Sequence, residues 1–330
     1  MKKNTLSLMI FCILSAICIS CSESSSQKVK SNRKTTQSAP WELLLVTDKE
    51  WIKTSEGELF MNAMNTEIPG LNQSEPCFKV LCINPRGFSK SYQVFANIVI
   101  AEFGSKYEKA EMKIAHDQYA HPQTVLYITA PTGKELAEYT EKHRDEIIEI
   151  FTRNELAEIQ SGLKRKHSKK VMEQARKQFN ISIFAPVDID AVKEGKDFFW
   201  ASSLQTDNHL NLCLYTIPLR QFNNIEEIIA IRDSVMQKNV QGEKENQYVK
   251  TVPFGLYITN IMKGSDVVTE IRGLWQMEND MMGGPFIMHV QADSINDRLI
   301  FSEGFVYAPE KKKRNYIRSL EASLRTLTQE

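Results

Sequence analysis

The chain has 330 residues with 41 basic and 41 acidic side chains, so no global field draws it to nucleic acid or to an anionic surface. With 42% hydrophobic and 9% aromatic residues it is a globular chain, not a disordered one, and long enough for one large domain or two ordinary ones.

The predicted elements begin with a secretory signal. Lys2 and Lys3 precede an apolar stretch from Leu6 to Ile19, which ends Cys18-Ile19-Ser20-Cys21. A run of about 14 residues is short of the ~20 needed to span a bilayer. Residues 1–20 therefore read as a lipoprotein signal peptide, with Cys21 the lipid-attachment residue, palmitate among its acyl chains. The lipobox departs from its usual pattern at Cys18, where leucine is the common residue. Each buried CH₂ of an acyl chain contributes ~0.8 kcal/mol, which makes such an anchor effectively permanent. Loss of Lys2 and Lys3 with the signal leaves acidic residues two in excess. No aspartate and no acidic run follows Cys21, only Glu23, so the expected address is the outer membrane with the body in the periplasm; surface exposure stays open. Residues 21–39 are rich in serine, threonine, glutamine and lysine and predict a flexible tether reaching ~20–25 Å.

A first α+β half is expected over 40–178. Trp41 to Val46 reads as a buried strand, and Asp48 as the cap of a helix running to Met64. Strands follow at Phe78–Ile83, Ile98–Phe103 and Val125–Thr129. From Lys134 the apolar period lengthens to three and four through Leu136, Tyr139, His143, Ile147, Ile150 and Phe151, predicting a long amphipathic segment to about Gln178 with a break near Ser161-Gly162. The basic residues from Lys164 to Lys170 read as a solvated helix face.

The second half, 179–330, is expected to hold strands at 180–184, 197–201, 210–216, 255–261, 267–277, 286–292 and 298–307, with helices over 225–237 and 311–328. Three times a tyrosine-bearing apolar strand is stopped by proline before a helix: Leu126 to Pro131, Leu214 to Pro218 and Phe305 to Pro309. The expected fold class is α+β, with mixed and antiparallel sheets and packed helices, and two similar halves joined by the long helical segment.

Chemistry is sparse. There is no Gly-x-Ser-x-Gly, His-Glu-x-x-His, Walker loop or Gly-x-Gly-x-x-Gly. His116, Asp117 and His121 come nearest to a metal-ligand set, but their spacing and Pro122 put them in a loop, and no metal or other cofactor is expected. Cys77, Cys82 and Cys213 are either three buried thiols or one thiol and a disulfide from Cys213 to one of the others. The densest polar sequence is C-terminal. Arg272 and Trp275 lead to Asp280, and Gly283-Gly284-Pro285 predicts a sharp turn; Arg232, Asp233, Glu303 and Arg314 are candidates to join them. The cluster reads either as an anion or sugar pocket or as a buried Arg–Asp or Arg–Glu pair holding the halves together.

These same stretches carry a resemblance. Arg232-Asp233-Ser234, Arg272-Gly273-Leu274-Trp275, Met282 to Phe286, Glu303 to Pro309 and Lys312 to Tyr316 resemble a family of Bacteroidota lipoproteins catalogued as a domain of unknown function, DUF 4837, over Trp41 to the C-terminus. The resemblance implies a cell-envelope lipoprotein and assigns no catalytic residue. The expected function is thus a non-catalytic binding or assembly component, with an envelope protein or a glycan as partner and no nucleic acid. The alternative is a hydrolase of envelope glycan or peptidoglycan using Asp280 or Glu303.

Overall fold

The computed structural model describes residues 34–330 except 204, 206, 207 and 265, so the signal, Cys21 and most of the tether lie outside the described residues. The remaining chain folds as two α+β bodies built on different sheets.

The first body centres on five strands, β1 Glu42–Val46, β2 Lys79–Ile83, β3 Asn97–Phe103, β4 Glu111–His116 and β5 Thr124–Ala130, in the order β2-β1-β3-β5-β4. All neighbours run parallel except β4, which pairs antiparallel with β5. This explains why β1 is apolar without alternation, because both its faces are covered. Leu43 and Leu45 meet the helices, whereas Leu44 and Val46 lie under loops bearing Phe88, Tyr92 and Phe95. Helix α1, Ser55–Met64, starts later than Asp48 because Thr54 is the residue whose side chain accepts the Gly57 N–H. The long helical segment breaks at His143, between α2 Gly133–Lys142 and α3 Arg144–Arg165, and not at Ser161-Gly162. It breaks again before α4, Lys169–Phe179, where Ser168 is the cap. Val171, Ala175 and Phe179 of α4 pack into the second core, so this helix goes with the second body although 178/179 was the expected boundary.

The second body is an antiparallel sheet of eight strands: β6 Ile189–Gly195, β7 Phe198–Ser203, β8 His209–Pro218, β9 Val249–Thr251, β10 Tyr257–Lys263, β11 Asp266–Met277, β12 Gly283–Asp293 and β13 Arg298–Tyr307. Their order is β9-β11-β12-β13-β8-β7-β6, with β10 also pairing β11 along its other stretch. The two bodies are therefore not similar halves: one sheet is mostly parallel and the other antiparallel. The three strand–proline–helix passages are all present, leading into α2, α5 (Ile225–Asn239) and α6 (Arg314–Arg325). Helix α5 covers one face of the sheet, packing Ile228 and Met236 against Tyr215, Ile271 and Phe301. Helices α4 and α6 cover the other, where Leu320 and Leu324 meet Ile287 and Val306. Burying each such side chain contributes ~1.5–3 kcal/mol.

Helix α6 joins the bodies. Its Ala322 packs in the first core while Leu320 and Leu324 pack in the second. Its N-terminus has no cap from its own neighbours. Instead Glu75 of the first body accepts the backbone N–H groups of Lys313 at 2.6 Å and Arg314 at 3.1 Å. A carboxylate placed there satisfies orphan donors and complements the helix dipole.

Gly283 and Gly284 are strand residues of β12, not the expected turn, which falls just before them. A Cβ on Gly284 would sit 2.0 Å from the Val306 carbonyl oxygen, so glycine is what permits this close backbone approach. Cys77, Cys82 and Cys213 are free thiols, Cys77 in the first core and Cys213 in the second. Among the described residues no helix is long and apolar enough to cross a membrane.

Candidate functional site

Between the bodies lies a cleft of about 890 Å³, walled by α3 and the 66–69 loop on one side and by β10 on the other. Its floor follows from two periodicities. On β11, Glu270 and Arg272 are two apart and share a face. On α6, Arg318, Glu321 and Arg325 recur at three and four, forming one stripe. The β11 pair and the α6 stripe meet. Arg272 Nε donates to Glu270 Oε1 at 2.8 Å, and its Nη2 reaches Glu321 Oε2 at 2.8 Å. Arg318 Nη1 donates to the same Glu321 oxygen at 2.7 Å, and Arg325 Nη2 to Glu321 Oε1 at 3.0 Å and to Glu270 Oε2 at 3.4 Å. On the adjacent strand, His289 stands opposite Glu270 and places Nε2 3.1 Å from Oε2.

Three guanidinium groups thus face two carboxylates, all but Arg325 nearly or fully buried. Burial alone would raise the Glu321 carboxyl, but the charges of Arg272, Arg318 and Arg325 outweigh it and hold it far below the usual range. Glu270 is also lowered: burial opposes ionisation there, and Arg272 and His289 overcome it. Burial depresses His289, and its Nε2 lies within hydrogen-bond reach of the Glu270 carboxylate, which can only accept. Lys263, at the end of β10, is pushed down to about 8 by burial and by the charge of Arg325. Arg272 Nη1, Arg318 Nε and His289 Nδ1 are buried with no hydrogen-bond partner. Buried polar groups are nearly always bonded, so three orphans on one floor demand an account. Arg318 also lies over the Trp41 ring, 4.9 Å from its centroid, and points Nη2 at the Cys77 sulfur at 3.7 Å.

The opposite face of the sheet carries a second cluster. Arg232 of α5 is fully buried and forks onto Glu303 of β13, with Nη2···Oε1 at 2.6 Å and Nε···Oε2 at 2.9 Å. Its Nη1 donates to Thr251 Oγ1 at 2.7 Å and to Asp233 Oδ1 at 3.1 Å, and its plane lies 4.2 Å over Phe286. Burial would depress this guanidinium, yet Glu303 and Asp233 carry it above its ordinary value.

The structure thus brings Arg232, Asp233 and Glu303 together within the second body, not between the bodies, as a buried Arg232–Glu303 pair with half-buried Asp233 beside it. Arg272 belongs to the other face. Trp275 is a core residue whose Nε1 donates to the Val306 carbonyl at 3.1 Å. Asp280 is exposed and shapes its turn, accepting Met282 N–H at 3.1 Å and Gln247 Nε2 at 3.0 Å. Arg314 reaches the Pro76 carbonyl at 3.2 Å and ties α6 to the first body. His116, Asp117 and His121 do not converge: His121 pairs Asp117 at 2.9 Å, whereas His116 faces Thr124 at 3.4 Å. Among the described residues no group of three metal-ligating side chains is present. Glu270, His289, Arg318, Glu321 and Arg325 are site residues the sequence reasoning missed. For Arg318, Glu321 and Arg325 the signal was the charged stripe at helical spacing on a helix that also carries Ala322 and Ser323 between its apolar positions.

Residues 168–326 match the family described as "Domain of unknown function (DUF4837)". Residues 37–164 match a second, "Domain of unknown function (DUF8532)", so the DUF4837 likeness does not extend to Trp41. A protein from Bacteroides thetaiotaomicron VPI-5482, solved by crystallography at 1.50 Å, is similar over 46% of this chain with 9% identity and a TM-score of 0.27; the match spans 45% of that protein. No curated protein matches the chain.

Proposed function

From the premise that residues 168–326 are a DUF4837 domain, we propose that the chain is a non-catalytic binding component of the cell envelope, anchored through Cys21, with its ligand in the cleft between the bodies. The cleft is the observation that carries this reading: both bodies line it, and its floor is polar, buried and incompletely bonded. Ligand sites favour such junctions, with a few convergent polar groups in a concave surface. The lipid anchor and outer-membrane address are part of the proposal and rest on Lys2, Lys3, the apolar run and Cys21.

The hydrolase alternative has less to draw on. A general acid needs a carboxyl held protonated near neutral pH within reach of substrate. The cleft carboxyls of Glu270 and Glu321 are both lowered by arginines, Glu303 is sealed against Arg232, and Asp280 sits in an exposed turn.

The test is site-specific photocrosslinking in cells, with the probe at Thr259 on the cleft wall or at exposed Ile295, in the intact chain and in Cys21→Ala. The expected result is an envelope-derived adduct at Thr259, none at Ile295, and loss or weakening in Cys21→Ala. Equal labelling at both positions, or turnover of peptidoglycan by the purified chain that Asp280→Asn abolishes, would contradict the reading.

A further inference from the structure

Resting on the reading of the cleft as a binding site, we infer that its ligand carries a single oxyanion terminus, a carboxylate or a phosphate, which docks on the floor formed by Arg272, Arg318 and Arg325. Two observations converge. The floor holds one guanidinium more than it holds carboxylates, so a buried positive charge lacks its counter-charge. Both Arg272 and Arg318 line the cleft at 4% exposure, and each keeps a nitrogen, Nη1 and Nε, without a protein partner. Leaving such donors unmatched is costly, and guanidinium N–H groups are donors well suited to a carboxylate or phosphate.

The facing wall limits the ligand further. Glu67, Asp145 and Glu149 line it, with Arg153 the one opposing charge there. An extended polyanion would meet repulsion along that wall, whereas a ligand with one anionic end on the floor and a neutral or cationic remainder would not. The closed cluster around Arg232 has no comparable vacancy, since each of its three nitrogens is bonded.

The experiment is calorimetric titration of the purified full chain with sodium phosphate and, separately, sodium acetate, with chloride holding ionic strength constant. Saturable binding of at least one anion is expected. Phosphate alone would identify a phosphoryl-bearing ligand, acetate alone a carboxylate-bearing one, and both a site for either oxyanion. Arg325→Gln removes the most accessible guanidinium of the floor, and affinity is expected to fall about tenfold or more, the scale of one charge-assisted hydrogen bond. Thr259→Glu adds a negative charge on the wall at the strand position opposite Glu270 and covers the case that Arg325→Gln fails to fold; it too is expected to weaken binding. Arg86→Gln, at an exposed arginine outside the cleft, leaves binding unchanged. No saturable heat beyond the chloride control, or equal weakening by Arg86→Gln, would overturn the inference. If that happened while the Thr259 crosslink persisted, the cleft would remain a binding site for a neutral ligand; loss of both would remove the binding reading as well.

Discussion

On one face of the eight-stranded sheet Arg232 has all three nitrogens bonded and its partner Glu303 at 0% side-chain exposure; on the other face Arg272 has Nη1 unbonded above an open cleft. Both are buried arginines paired with glutamate. The first pair bonds a helix to a strand inside one body, so the chain itself can complete the geometry. The second sits where two bodies meet, and its stripe on α6 is held from both sides. Buried ion pairs contribute little net stability when complete and cost a great deal when broken. The complete pair is a structural lock, and the incomplete one is where the proposed ligand would add the missing partner.

The largest expected effect tests the lock. Glu303→Ala leaves Arg232 charged and buried, and should cost ~3–5 kcal/mol in urea unfolding, whereas Arg232→Met with Glu303→Leu should recover most of it. An unchanged midpoint for the single variant would break the contrast.

Next comes Glu321→Gln, which leaves three guanidinium groups against Glu270 alone and should destabilise by about 3 kcal/mol. Here phosphate should restore stability by linkage, and more than it stabilises the unaltered chain. It should do nothing for Glu303→Ala, since that cluster has no opening; equal rescue of both variants would erase the distinction between the clusters.

Glu75→Gln is smaller. It removes the charge that caps α6 from the first body and should cost ~1 kcal/mol while leaving the Arg232 lock intact. Thermal unfolding together with hydrogen exchange should place the loss in α6 rather than α5.

The last effect is in pH. Lys263 is lowered to about 8 from 10.5 by burial, with the charge of Arg325 lowering it further, Asp266 opposing, and His289 nearby. A lowered folded value means that the native state binds fewer protons than the unfolded chain between about 8 and 10.5, so this group's contribution to stability rises with pH across that window and is lost as pH falls through about 8. An oxyanion on the floor should reverse the tendency by favouring charged Lys263, so its affinity should weaken above about pH 8. Titrations across the window should show this slope, and Lys263→Met should flatten it.

Much of the architecture was legible from period and punctuation. The unbroken apolar run of β1, the strand–proline–helix passages and the stripe of Ile317, Leu320 and Leu324 all mark elements that are present. Short or polar strands such as β4, β6 and β9 were not legible, because the first two are half-exposed without a clean apolar alternation and β9 has only three residues. The site was read in part. Arg232, Asp233 and Glu303 do meet, but Arg272 could not be assigned to the opposite face without knowing the sheet. Arg318, Glu321 and Arg325 were not singled out, because the body that helps bury them lies some 240 residues earlier, at Glu75 and Cys77.

The most direct measurement is a phosphate and acetate titration of the full chain followed by the arginine Nε–H resonances in nitrogen-15 NMR. The account predicts saturable shifts for Arg272, Arg318 and Arg325 and a stationary Arg232. Shifts of all four that simply track ionic strength, or none at the cleft floor, would contradict it.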